Sequence, residues 1–240
     1  MKIHPTIYII TSITHALSHG AIIVAEDFED GLINYTTSIT EFSDGSSDYF
    51  GRVPTISITG VSFNNTQGNG YFAAQDIDGE GADSQQSLTF SNINISNYTD
   101  LEFSAFWAED DDGSNQSWDI SDFVLIEYNI DDGGFQNLFA IEDQGATNTE
   151  PRIDTDFNGI GDGAVITDTF TQYTSPIAQT GDLITIRITF DLNSGDEDIA
   201  FDNIQLTGTL AAVPEPSAYP IIIGFSLLST IAFRRFHCHE

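Results

Sequence analysis

Apolar and polar residues alternate one by one along most of this chain, and a period of two fits a half-buried β-strand and no helix. Leu101, Phe103, Ala105 and Trp107 alternate with Glu102, Ser104, Phe106 and Ala108. Leu183-Ile184-Thr185-Ile186-Arg187-Ile188-Thr189-Phe190 reads as one long strand, and Ile199 to Leu206 as another. Phe72-Ala73-Ala74 follows a glycine-rich turn, and Leu88, Phe90, Ile93 and Ile95 mark a strand or strand pair. Phe123 to Tyr128 runs into Asp131-Asp132-Gly133-Gly134 and then Phe135 to Ile141. Asp-Gly and Gly-Gly accept the positive φ of a tight turn, so this stretch is the clearest hairpin. Thr and β-branched side chains suit the pleated surfaces between such turns. The pattern predicts an all-β, antiparallel β-sandwich over residues 21–209, with about ten strands and helices only at the two ends of the chain.

The residue types missing from the sandwich narrow its chemistry. From 21 to 216 there is no His, Lys, Cys or Met, and the cations are Arg52, Arg152 and Arg187. Imidazole bases, thiol nucleophiles and Schiff-base lysines are therefore excluded. Zinc, copper and haem lack their usual ligands, and no disulfide can form within these residues. All but one of the 37 acidic residues, Glu240, fall inside the same stretch, and the net charge is −31. Such a surface repels nucleic acid, which excludes that partner, and attracts divalent cations. It also suits a saline medium, where the Debye length falls to about 8 Å or less.

Both ends read as addresses. Residues 1–20 form a signal peptide: Lys2 is the positive region, Ile7 to Leu17 the apolar one, and Ser18-His19-Gly20 the small-residue site before Ala21. At the other end a linker, residues 210–217, carries Pro214-Glu215-Pro216. An uncharged span follows and closes on Arg234 and Arg235 (residues 218–235), and a short tail occupies residues 236–240. As a helix, the span from Ala218 to Phe233 covers roughly 24 Å, slightly short of a bilayer core of about 30 Å. The two arginines would keep its end in the cytoplasm, with the sandwich outside. This order of triplet, span and basic pair resembles the PEP-CTERM sorting signal of Gram-negative bacteria, although Phe236 to Glu240 extend past the usual end. The resemblance implies an exosortase as partner, processing at Pro214, Glu215 and Pro216, and a transient anchor in the inner membrane. Delivery to the cell surface or extracellular matrix would follow.

Two further resemblances concern ligands. Ala25-Glu26-Asp27-Phe28-Glu29 opens the sandwich and Phe201-Asp202-Asn203-Ile204 closes it. These ends resemble jelly-roll modules of extracellular bacterial proteins, many of them carbohydrate-binding modules. The resemblance implies adjacent first and last strands, with Glu29 and Asp202 sharing a structural calcium. Asp154-Thr155-Asp156-Phe157-Asn158-Gly159-Ile160-Gly161-Asp162-Gly163 is similar to the first part of an EF-hand loop or a thrombospondin type 3 repeat. Asp154, Asp156, Asn158 and Asp162 supply oxygens in the spacing a hard cation needs. The glutamate expected at the twelfth position is absent, because Val165 stands there. A solvated acidic turn accounts for the same residues. Asp76 to Asp83 and Glu109 to Gly113 are further acidic groups, read as hydrated loops.

Of the two tryptophans, Trp107 belongs to the alternating core, while polar flanks make Trp118 the candidate for stacking on a sugar ring. These features favour an exported, non-catalytic surface or matrix protein: adhesive, structural or glycan-binding, with calcium-stabilised loops. The alternative is a glycoside hydrolase or lyase that works with a carboxylate pair, about 5–9.5 Å apart across a cleft.

Overall fold

The computed structural model describes residues 20–212, apart from 30, 32, 80 and 111–117. The chain divides into Met1–Leu210 and Ala211–Glu240, and only Ala211 and Ala212 of the second unit are described. The signal segment, the Pro-Glu-Pro triplet and the apolar span therefore lie outside the described residues. Among the described residues no helix is long and apolar enough to cross a membrane.

The described chain is all-β, in two antiparallel sheets. The first has seven strands. Its main path runs β11 (Thr171–Ile177), β7 (Tyr98–Ala108), β13 (Asp198–Leu210), β5 (Tyr71–Gln75), β4 (Tyr49–Val53) and β3 (Phe42–Ser43). The seventh, β1 (Ala21–Glu26), also pairs with β13, from Ala21 opposite Gly208 to Glu26 opposite Ile204. The first and last strands are thus neighbours, as the resemblance at the two ends implies. The second sheet runs β10 (Arg152–Asp154), β9 (Gln136–Glu142), β8 (Phe123–Ile130), β12 (Leu183–Asp191), β6 (Gln85–Asn94) and β2 (Thr36–Thr37). Thirteen strands replace the ten or so expected, because β2, β3 and β10 are only two or three residues long and too short to show a period. The hairpin of β8 and β9 forms as read, with Asp131, Asp132 and Gly134 all at positive φ.

Alternation decides which side chains face inward. Along β12 the residues Ile184, Ile186, Ile188 and Phe190 are buried, while Thr185, Arg187 and Thr189 point outward. The interior is a file of rings: Phe72 stacks on Phe201 at 5.2 Å, Phe190 on Phe201 at 5.8 Å, and Phe50 meets Phe72 edge-on at 5.0 Å. Each such ring, taken from water, contributes roughly 1.5–3 kcal/mol.

The two outer faces differ. On the first sheet, a second apolar cluster of Tyr49, Ala73, Ala108 and Ala200 is covered by Ile56 and Phe170, with Val61 and Phe63 against them. That face is closed. The outer face of the second sheet carries Leu125, Arg187, Thr189 and Ser87, which stay partly accessible at its centre, around the buried Glu127.

Candidate functional site

The open face holds a groove of about 290 Å³. Register makes it: Glu127 lies opposite Arg187 and Leu125 opposite Thr189, so alternate residues of β8 and β12 form one surface. Phe123, Leu125 and Thr189 supply apolar and hydroxyl surface, and Ser38, Gln85 and Gln86 bring hydroxyl and amide groups from β6 and the segment after β2. Glu127 accepts two hydrogen bonds on one oxygen from Arg187, from Nε at 3.0 Å and Nη2 at 2.8 Å. The ring of Phe135, 38 % exposed, lies 3.8 Å from the guanidinium carbon. A guanidinium has five N–H donors, and carboxylate and ring hold it flat while leaving donors for another acceptor.

The acids of the two chain ends meet around one loop. Glu29 Oε1 accepts from the backbone N–H groups of Asn69 at 2.5 Å and Gly70 at 2.7 Å. Asp202 Oδ2 accepts from Gln67 N at 3.3 Å and Oδ1 from Asn203 N at 2.6 Å. A bulge in β13 after Asp202, with Asn203 at positive φ, turns this carboxylate toward the loop. Gly70 is obligatory: a Cβ there would lie 2.3 Å from the carbonyl oxygen of Phe28. Burial, with Glu29 and Asp27 nearby, raises Asp202 to about 6. The structure places Glu29 close enough to Asp202 to act on its charge.

The 154–162 loop departs from an EF-hand. Asp154 closes β10 and is 0 % exposed, with Oδ1 accepting from Asp156 N at 2.8 Å and Phe157 N at 2.9 Å. Burial works to raise it, but these donors outweigh burial and hold its pKa below the usual carboxylate range. Asp156, Asn158 and Asp162 are exposed and, with Asp154, do not gather around one centre. The physical reason is that Asp154 spends one oxygen on the turn itself, while the chain folds back so that Gly163 N donates to Ile153 O.

The acidic set that does converge was not read from the sequence. Among the described residues, Asp119, Asp122 and Glu197 bring carboxylate oxygens within 4.8 Å of one another, and Asp122 and Glu197 are buried. Burial, with Glu197 and Asp119 adjacent, raises Asp122 to about 8, and burial raises Glu197 as well. Such a triad could hold a metal ion. Its members come from the turn before β8 and the turn before β13, and no local motif announces a meeting between segments so far apart.

Trp118 needs correction. It is 0 % exposed, and its indole N–H donates to the Asp198 carbonyl oxygen, 80 residues along the chain, at 3.3 Å. A ring with no free face cannot stack on a sugar. Polar flanks suggested exposure, but a tryptophan whose N–H finds a backbone acceptor buries readily. Trp107 is buried as expected.

No protein-family model matches this chain, and no curated protein sequence matches it. Solved structures are similar in fold at low identity. The CBM22-1 xylan-binding domain from Paenibacillus barcinonensis Xyn10C matches at 10 % identity, 82 % of this chain and 100 % of that chain, with a TM-score of 0.41. The K3 cleaved adhesin domain of Lys-gingipain from Porphyromonas gingivalis w83 matches at 17 % identity, 78 % and 100 % coverage, with a TM-score of 0.43. The Stig cyclase Fisc from Fischerella sp. TAU matches at 15 % identity, 83 % and 92 % coverage, also with a TM-score of 0.43. At such scores these likenesses carry no argument about what this chain binds or does.

Proposed function

We propose that this chain is an exported, non-catalytic polysaccharide-binding protein of the cell surface or extracellular matrix. In this reading an exosortase sorts it through the Pro214-Glu215-Pro216 tail, and calcium stiffens its jelly-roll loops. The groove on the open face of the second sheet carries the binding reading. Its mixture of apolar floor, planar amides and a flat guanidinium matches the alternating C–H and hydroxyl surfaces of a sugar chain. Arg187 is neutralised by Glu127, and the surrounding charge is strongly negative, so a neutral polysaccharide fits better than an anionic one.

Calcium is assigned to the acids that the fold gathers, Glu29 with Asp202 and the Asp119–Asp122–Glu197 triad, and to the Asp154 loop. The non-catalytic reading rests on the missing His, Lys and Cys and on the state of the carboxylates. Burial raises Glu142 to about 7 while its neighbour Asp154 is lowered, the opposed pattern a glycosidase pair shows. These two carboxyls lie within hydrogen-bonding reach of each other, which leaves no room for a glycosidic bond between them.

Titration of the full chain with neutral and acidic polysaccharides tests the reading. Arg187→Gln and Phe135→Ala should each weaken binding of a neutral glycan about tenfold, or about 1.4 kcal/mol. Wild-type affinity in both variants would remove the groove from consideration.

A further inference from the structure

Glu142 and Asp154 each have a buried carboxylate oxygen that no N–H or O–H reaches. Asp154 is fully buried; Oδ1 is held by two N–H groups, whereas Oδ2 has no donor. Glu142 Oε2 is likewise buried without a donor. Register brings them together. Arg152 stands opposite Glu142 and Asp154 opposite Ala140, so both carboxylates rise from the same face of β9 and β10, diagonal to one another. The two groups lie within hydrogen-bonding reach, and two acceptors that face each other at this distance attract only a proton or a cation.

Among the described residues no side chain donates to either oxygen. Arg152, the nearest cation in register, sends Nη2 to Glu150 at 3.6 Å and Nη1 to the Gly163 carbonyl at 3.4 Å, and its buried Nε reaches no acceptor. Asp143 adds a further negative charge, although its own carboxylate is turned toward the N–H groups of Gly145 and Ala146. Asp156, exposed and beside Asp154, is placed to swing a third carboxylate inward. Leaving a buried acceptor without a partner costs about 1–3 kcal/mol, more when it is charged.

We propose that Glu142 Oε2 and Asp154 Oδ2 bind a divalent cation, calcium, between them, with Asp156 and water completing its shell. Glu142 then provides, from the neighbouring strand, the carboxylate that the loop lacks at Val165. Calcium fits better than magnesium, because ligands from a strand and a loop do not make the tight octahedron magnesium needs. This rests on the calcium part of the reading above and is independent of glycan binding.

The test uses the full chain, freed of metal by a chelator and then dialysed against calcium chloride. Bound calcium is counted by metal analysis and affinity measured by titration calorimetry. Glu142→Gln and Asp154→Asn should each bind one calcium ion fewer than wild type, or hold that ion at least tenfold more weakly. Glu197→Gln should retain it. Glu142→Gln gives Asp154 an N–H donor, so its melting temperature without calcium should equal or exceed that of wild type, which shows that the variant is folded. An unchanged calcium count and affinity in both Glu142→Gln and Asp154→Asn overturns the proposal and leaves the other calcium sites standing. A wild-type chain that binds no calcium overturns this site together with the calcium part of the proposed function. Loss of the ion in Glu142→Gln from a chain that binds no glycan supports this site and removes only the glycan reading.

Discussion

Two acidic regions of this molecule, built from the same residue types, reach opposite local solutions. Around Glu29 and Asp202, four backbone N–H groups point at the carboxylates. The acids clamp a loop there and hold its shape. At Glu142 and Asp154, two of the carboxylate oxygens find no N–H or O–H at all. The first arrangement is held by backbone donors of the protein itself, whether or not an ion joins it. The second is incomplete until something positive arrives. Neither the number of acids nor their spacing along the chain separates the two; the supply of donors does.

The largest expected effect tests whether the clamp is rigid. Gly70→Ala would place a Cβ 2.3 Å from a backbone oxygen, and Glu29 holds the N–H groups of Asn69 and Gly70. It should cost about 3–4 kcal/mol in urea denaturation. A loss below about 1 kcal/mol would mean that the loop gives way and that the contrast with the second region is weaker than drawn. Next in size, Asp202→Ala removes the acceptor for Gln67 N and Asn203 N and should cost about 2–3 kcal/mol. Glu142→Gln should move the other way in calcium-free buffer, with a gain of about 1 kcal/mol from relieved repulsion. Destabilisation of comparable size by both substitutions would erase the distinction.

The smallest effect is a slope with pH. Asp202 is raised to about 6, Glu142 and Asp198 to about 7, and Asp122 to about 8, each chiefly by burial. A raised acid binds more protons folded than unfolded above its ordinary pKa, so stability falls as pH rises through that interval. Without calcium, the melting temperature should therefore climb as pH drops from about 8 toward 5. Asp154 runs opposite: its lowered pKa contributes stability present above the usual carboxylate range and lost as pH falls below it. Calcium at millimolar concentration should flatten the slope between pH 5 and 8, by the share that Glu142, Asp202 and Asp122 contribute. An identical slope with calcium and with chelator would argue that only protons enter these pairs.

Much of the fold was legible because strand alternation is local. Leu101, Phe103, Ala105 and Trp107 are all buried, and the Asp131–Gly134 turn joins the strands it was expected to join. Glu29 and Asp202 were readable because both ends of a sandwich carry recognisable sequences. The remaining sites were not, and for one reason. Glu142 ends an ordinary apolar strand, Asn137 to Ile141, with no acidic run beside it except Asp143. What matters is that Arg152, opposite in register, gives Nη1 and Nη2 to Gly163 and Glu150, and register is a fact of pairing rather than of sequence. Asp122 and Glu197 likewise meet only because the turns before β8 and β13 lie side by side. Trp118 was misread because burial was judged from its neighbours in the chain, while its partner is an Asp198 carbonyl contributed by β13.

β13 also sets the order of events when the chain is made. Its first residues pair with β5, Ile204 to Gly208 with β1, and most of its length with β7. None of those three strands has its central neighbour until β13 has been synthesised. Hairpins such as β8 and β9 can form early, but the seven-stranded sheet closes only when the end of the domain appears. A chain emerging from the ribosome, or from a membrane pore, is held open by its own topology until nearly all of it has passed, and the aromatic file around Phe201 then assembles in one late step.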